Sequence, residues 1–162
     1  MLAEDVNFCP RCGERLEIQE RMGQDRPVCP ACDWIFFPDP KVAVAVVVRK
    51  EDRILLVKRA FNPFRGLWML PAGFVDAGED PERAAVREVK EETNLAVKIA
   101  GLVMVLSGQE YDKGAHIIIV YRAEVMGGRL SAGDDAAQAG YFHLEELPTL
   151  AFESSREILS AL

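Results

Sequence analysis

At 162 residues, with 49% hydrophobic and 28% charged side chains, the chain has the make-up of one globular domain plus a small appendage. Its formal net charge of −7 argues against broad binding to nucleic acid, which needs a basic face, but leaves anionic substrates open because a bound metal can supply positive charge. No apolar run reaches the ~18 residues of a membrane span, and residues 1–10 are acidic without an apolar core, so the expectations are no signal peptide, no membrane and a cytoplasmic location.

Two CxxC pairs come first in the chain. Cys9-Pro-Arg-Cys12 and Cys29-Pro-Ala-Cys32 are separated by 16 residues. Each pair sits on a Cys-Pro turn that aims two thiolates at one point, and two such turns make a tetrahedral four-sulfur site suited to Zn²⁺. Disulfides do not suit a reducing compartment, and a redox CxxC usually occurs singly. The pattern resembles a zinc ribbon over about residues 6–36, within a first domain at 1–38. Cysteine fills all four coordination positions and leaves none for water, so the expected role is structural. Arg11, Arg15, Arg21 and Arg26 are scattered among acids and recommend no nucleic-acid partner. Trp34-Ile-Phe-Phe37 reads as a hydrophobic seam to the main domain.

Pro38-Asp-Pro40 marks the boundary, and the second domain is expected at 39–162. Residues 42–48 form a β-branched run that predicts a strand buried on both faces. A turn at Glu51-Asp52 leads to its partner strand at 54–58. A Phe/Pro/Gly loop at 61–66 precedes a short strand at 68–70. Asp80-Pro81 reads as N-cap and first residue of a helix, with Glu79 and Glu82 at the positive end of its dipole. Ala85, Val86 and Val89 form its apolar arc. Asn94 tolerates the left-handed conformation that ends many helices.

Two long strands follow at 97–107 and 116–125, joined by a polar turn at 109–114. Gly127-Gly128 reads as a turn, 141–143 as a short strand, 145–147 as one helical turn, and 153–162 as a helix with Ile158, Leu159 and Leu162 apolar. His116 and His143 fall in strand patterns and read as structural, and Met104 reads as core. Strands interleaved with two helices predict an α/β fold with a mixed sheet between helical layers.

The chemistry is concentrated in residues 73–95, GFVDAGEDPERAAVREVKEETNL. Glu88, Glu91 and Glu92 stand at i, i+3 and i+4, on one arc of the helix. Like charges at these spacings repel by roughly 0.2–0.5 kcal/mol per pair. A helix built for solubility alternates signs, whereas clustered oxygens suit a hard divalent cation.

This segment resembles the signature of the Nudix hydrolase family. Gly73, Glu79, Arg87, Glu88, Val89, Glu91, Glu92 and Leu95 occupy its fixed positions in order and spacing. One position departs: the final glycine of the family pattern is Asn94 here, the next-best residue for a left-handed cap.

The resemblance implies a Nudix α/β/α sandwich and metal-dependent attack of water on a pyrophosphate link. It implies Mg²⁺ or Mn²⁺ on Glu88, Glu91 and Glu92, with the Gly73 carbonyl as a further ligand. Arg87 is expected to pair with Glu79 and fix the loop against the helix. Asp135, in Gly133-Asp-Asp135, is the candidate general base, with a solvated acidic turn as its plain alternative. Arg59 and Arg65 are candidates for a terminal phosphate, or solvated surface cations. Trp68 is a candidate for stacking on a base, or a core residue.

Markers within the family narrow the substrate. NADH pyrophosphatases also carry a ribbon but add a Ser-Gln-Pro-Trp-Pro-Phe-Pro-like segment after the signature. Residues 100–107 read AGLVMVLS instead, which disfavours NADH. Glu110-Tyr111 stands where a common ADP-ribose marker has proline. The ribbon, GLWMLPAG at 66–73 and LPTLAFESS at 147–155 together resemble bacterial and plant ADP-ribose/FAD pyrophosphatases. The implied activity is therefore hydrolysis of ADP-ribose or FAD-type substrates to AMP and a phosphorylated partner. An oxidised nucleoside triphosphate hydrolase and a non-catalytic ADP-ribose-sensing module are the alternatives, the second disfavoured because all three signature glutamates are present. The expected partner is a nucleotide-type small molecule, with no nucleic acid, and a homodimer by analogy with domains of this size.

Overall fold

A computed structural model of the chain describes residues 6–111 and 114–162. It divides into two compact units, Met1–Pro40 and Lys41–Leu162.

In the first unit, each CxxC pair folds into the same turn. The Cys9 N–H donates to the Glu14 carbonyl and the Gly13 N–H to the Cys9 carbonyl, and Cys29, Trp34 and Asp33 repeat the pattern. Gly13 and Asp33 take equivalent positions at φ 78° and 54°. Between the turns, strands β1 (Glu17–Arg21) and β2 (Gln24–Val28) form an antiparallel hairpin with register Glu17↔Val28 to Arg21↔Gln24. Its two-residue turn, Met22-Gly23, has positive φ at both positions, the geometry that matches strand twist in tight hairpins. Arg26 lies over the Phe37 ring at 4.6 Å, and Trp34 packs near Phe36.

The second unit is built on β3 (Val42–Lys50). It runs parallel to β8 (Ile117–Gly128) from Val42↔Ile117 to Val48↔Ala123. On its other side it pairs antiparallel with β6 (Ala72–Phe74). Strand β7 (Leu95–Ser107) lies outside β8, antiparallel to it. The hairpin at Glu51-Asp52 joins β3 to β4 (Arg53–Arg59), which pairs with β5 (Trp68–Met69) and β9 (Ala136–His143). The result is the expected mixed sheet.

Side-chain alternation along β3 explains its unbroken apolar run. Val44, Val46 and Val48 enter one core with Ala84, Ala85 and Val89 of helix α1 (Pro81–Thr93). Ala45 and Val47 enter another with Ile158 and Leu159 of helix α2 (Glu153–Ser160). Helices therefore cover both faces, and each fully buried valine contributes about 1.5–3 kcal/mol.

Several local readings need correction. Gly127 and Gly128 end β8, paired with Ala96 and Leu95, and do not form a turn. Residues 145–147 make no helical turn; the Glu146 N–H closes a tight turn onto the His143 carbonyl. The last strand begins at Ala136, because pairing with β4 overrides the weak strand propensity of its Ala- and Gly-rich start. Leu162 lies beyond α2 and is exposed. The polar turn read at 109–114 includes residues 112 and 113, which lie outside the described residues.

Helix α1 is closed at both ends by its own sequence. The Asp80 carboxylate accepts from the N–H groups of Glu82 and Arg83 at 3.0 and 3.1 Å. Asn94 ends the helix at φ 58°, its N–H bonded to the Lys90 carbonyl and its amide to the Arg129 carbonyl. Replacing Asn94 with alanine keeps the left-handed strain and removes the amide bond. Urea unfolding of Asn94→Ala is expected to show a loss of about 1–2 kcal/mol.

Candidate active site

Strand β6 and the loop after it lead straight into α1, so the site is assembled on a strand-loop-helix unit. Gly73 pairs with Val44 in the sheet. A Cβ at Gly73 would lie 2.0 Å from the Glu88 carboxylate. Only glycine lets this carboxylate lie against the strand.

The three signature glutamates differ in environment. Glu92 is almost fully buried, at 1% exposure, and its Oε2 accepts the Ala72 N–H at 3.0 Å. Burial, reinforced by the charge of Asp135, pushes its carboxyl well above the ordinary range. Glu88 is also buried and raised by desolvation, which Arg87 opposes while Glu91 and Asp135 add to it. Glu91 is more open.

Arg87 ties the loop to the helix. Its Nε and Nη2 grip both oxygens of Glu79 at 2.8 Å. Nη1 donates to Glu88 at 2.6 Å and to Glu91 at 3.1 Å, and Nη2 also reaches the Phe74 carbonyl. The guanidinium, with the Asp76 N–H, holds the Glu79 carboxyl down at about 2.

Asp135 reaches this cluster from the far end of the domain sequence. The Ser131 and Gly133 N–H groups cap the carbonyls of Thr93 and Glu92 at the end of α1. A Cβ at Gly133 would lie 2.6 Å from the Glu91 carbonyl oxygen, so this loop also docks through a glycine. The Asp135 carbonyl accepts the Ala60 N–H, and its side chain adds negative potential at both Glu88 and Glu92.

A cleft of about 190 Å³ opens beside the cluster and includes Gly73, Asp135, Arg59, Glu110, Tyr111 and Phe152 in its lining. Arg59 is held by the Pro63 carbonyl and the Met69 sulfur, with its guanidinium over the Phe152 ring. Arg65 and Trp68 are not in the lining. Arg65 is exposed; Trp68 packs edge-on against Phe142 at 4.6 Å. The place of Glu110, Tyr111 and Phe152 in the cleft escaped sequence reasoning, because the two loops that carry them meet only in the fold. Both histidines have structural partners. His116 Nδ1 accepts the Lys41 N–H, and His143 sits between Asp52 and Arg53.

In the first unit, the Sγ atoms of Cys9, Cys12, Cys29 and Cys32 all lie within 4.8 Å of one another. Among the described residues no carboxylate group converges this tightly; Arg87 and the Ala72 N–H engage the glutamates instead. The Sγ pairs Cys9–Cys32, Cys12–Cys29 and Cys12–Cys32 are 3.6, 3.4 and 3.7 Å apart. Tetrahedral coordination at 2.3 Å per sulfur would space them at ~3.8 Å, so the set fits a metal of that size. Burial would raise the Cys9 thiol, but the Arg11 and Cys12 N–H groups and the neighbouring thiols hold it at about 7.

Comparison with known proteins agrees with this geometry. The family profile described as NUDIX domain matches residues 39–162. The chain belongs to the Nudix family. An ADP-ribose pyrophosphatase of Methanocaldococcus jannaschii is 48% identical over 120 residues, which cover 74% of this chain and 71% of that protein. The NAD-capped RNA hydrolase NudC of Pseudomonas aeruginosa is 34% identical over 94% of this chain. The match takes in 53% of that protein, so the chain spans about half the length of the NudC relatives. A Nudix hydrolase structure from Nitrosomonas europaea superposes with a TM-score of 0.86 at 32% identity, covering 95% of this chain and 88% of that one. This chain is thus a Nudix pyrophosphohydrolase. Among its described residues no helix is long and apolar enough to cross a membrane.

The contact between Gly73 and Glu88 gives a direct check. In Gly73→Ala the Glu88 carboxylate must swing aside, which a flexible side chain does cheaply. Thermal unfolding is expected to change little while kcat falls about 10–100-fold, the range for disturbing the orientation of a site residue.

Proposed function

We propose that this Nudix pyrophosphohydrolase cleaves the diphosphate link of ADP-ribose or FAD-type substrates and releases AMP. The observation that carries the reading is the strand-loop-helix unit beside the cleft: Glu88 lies against Gly73, Glu92 is held by the Ala72 N–H, Arg87 bonds Glu79, Glu88 and Glu91, and Asp135 lines the cleft. Glu88 and Glu92 are buried and Glu91 is more open, and oxygen-only donors of this kind fit Mg²⁺ or Mn²⁺. Glu88, Glu91 and Glu92 would hold the ion, with the Gly73 carbonyl beside them. When bound, it supplies neutralisation of phosphate oxygens and acidification of water.

The chain's own residues do the rest. Asp135 takes the proton of the attacking water as its oxygen bonds to phosphorus and the bridging P–O bond breaks. The leaving phosphate carries away the bond pair. Arg87 and Glu79 position the ligand carboxylates. Arg59, which lines the cleft, would receive a phosphate oxygen.

The 48% identity to an ADP-ribose pyrophosphatase supports this substrate class. A second reading, hydrolysis of NAD-type ends including those on RNA, is favoured by a different observation: the NudC match extends over 94% of the chain. Residues 100–107 lack the segment expected of NADH pyrophosphatases, which places ADP-ribose first.

A panel of ADP-ribose, FAD, NADH, NAD-capped RNA, diadenosine polyphosphates and oxidised dGTP, assayed with Mg²⁺, separates the readings. ADP-ribose or FAD is expected to give the highest kcat/KM, and Glu91→Gln to lower it at least about 100-fold. Wild-type activity in that variant would remove the metal assignment, and preference for NAD-capped RNA would promote the second reading.

The four cysteines are proposed to hold structural Zn²⁺. Elemental analysis of purified protein is expected to find about one zinc per chain, retained through mild chelation. Absence of zinc, or a different stoichiometric metal, would overturn the assignment.

A further inference from the structure

Position 94 is where the chain departs from its family's signature, with asparagine in place of glycine. Glycine would close the helix at φ 58° without strain. The hydrogen bonds of the asparagine side chain give it a role that glycine does not fill.

Lys90 Nζ donates to Asn94 Oδ1 at 2.7 Å and to the Asn94 carbonyl at 3.0 Å. With its oxygen against the ammonium, the amide turns its NH₂ group to the Arg129 carbonyl, to which it donates at 3.1 Å. A flipped amide would set donor against donor at Lys90 and acceptor against acceptor at Arg129.

Arg129 begins the segment that carries Asp135. Strand β8 ends at Gly128, where a Cβ would lie 2.5 Å from the Asn94 carbonyl oxygen. The chain then runs back along the last turn of α1 in even steps: Arg129 meets Asn94, Ser131 meets Thr93 and Gly133 meets Glu92. The last four carbonyls of a helix have no partner within it. The Ser131 and Gly133 N–H groups bond two of them, at 3.1 and 3.2 Å, the long end of the normal range. The Asn94 amide adds a third rung at the origin of the segment. At its far end, the Ala136 N–H closes a turn onto the Gly133 carbonyl and the Ala60 N–H bonds the Asp135 carbonyl. Asp135 thereby enters the cleft that Gly73 also lines.

We propose that Asn94 is a positioning residue for Asp135. Its side-chain amide fastens the start of segment 129–135 to the end of α1, so that the signature glutamates and Asp135 keep one fixed relation. This inference rests on the base role given to Asp135 above and names a group that places it.

The test uses the full chain with ADP-ribose and Mg²⁺. Asn94→Gly removes the amide and leaves a relaxed left-handed end. Its urea midpoint is expected to stay near wild type, because relief of backbone strain offsets one lost hydrogen bond. Its kcat is expected to fall about tenfold at constant KM, the lower end of the range for a residue that orients a site group. Asn94→Asp keeps the size and tolerates the left-handed region, but its carboxylate does not donate to the Arg129 carbonyl, so its kcat should match that of Asn94→Gly. In an Asp135→Asn background, Asn94→Gly is expected to cost nothing further, because its effect passes through the missing carboxylate. Native-state hydrogen exchange gives a readout without turnover. The Ser131 and Gly133 amides should lose about tenfold in protection in Asn94→Gly.

Wild-type kcat in either Asn94 variant would overturn the inference. So would an undiminished loss on top of Asp135→Asn, or unchanged exchange at Ser131 and Gly133. A lowered urea midpoint with unchanged kcat marks a merely helix-ending role and overturns it too. Wild-type kcat in Asp135→Asn would bring down the base assignment and this inference with it, whereas a crippled Asp135→Asn beside a fully active Asn94→Gly ends this inference alone. If wild type hydrolyses no ADP-ribose, the substrate reading fails, and the exchange result still decides whether Asn94 fastens the segment.

Discussion

The guanidinium of Arg87 makes the acidic cluster compatible with a folded domain. Glu79, Glu88 and Glu91 all bond to it. Without that group, the repulsion among carboxylates on one helical arc would add to the desolvation of Glu88 and Glu92. The forked shape matters as much as the charge: two nitrogens hold Glu79 while a third serves the helix glutamates, an arrangement lysine does not reproduce. The same residue therefore offsets the electrostatic cost of the site and fixes the geometry of the loop that enters it.

That clamp sits on a sheet buried from both sides. β3 is covered on both faces, by α1 on one side and α2 on the other. Its neighbour β6 brings Gly73 against Glu88, and the residue before it, Ala72, supplies the N–H that holds Glu92. Backbone elements of the sheet and side chains of the helix thus share one small volume. Two glycines, Gly73 and Gly133, permit the close approaches on either side of the carboxylates. The cysteine unit follows a separate logic, with two equivalent turns orienting four thiols toward a common centre.

Much of this was legible along the chain. Both ends of α1 could be read from Asp80-Pro81 and Asn94, because capping is a local interaction between a side chain and nearby backbone. The burial of β3 on both faces followed from its uninterrupted valines. The cysteine cluster followed from spacing alone. Two of the errors share one cause. Gly127-Gly128 resembles a turn in isolation but pairs with β7, and the start of β9 has weak strand propensity but is held by β4. Pairing with a distant strand outweighed local preference in both cases.

The sequence by itself determined which groups carry charge, which helix displays them and which thiols share a turn, since all of these depend on periodicity and short-range spacing. Tertiary structure decided the depth of burial of each glutamate, the approach of Asp135, and the cleft bounded by Arg59, Tyr111 and Phe152. It also placed Trp68 against Phe142 instead of in that cleft, and brought Glu110 to the start of α2. These features depend on contacts between segments tens of residues apart, where the partner's position, and not the residue's own neighbours in the chain, sets its environment.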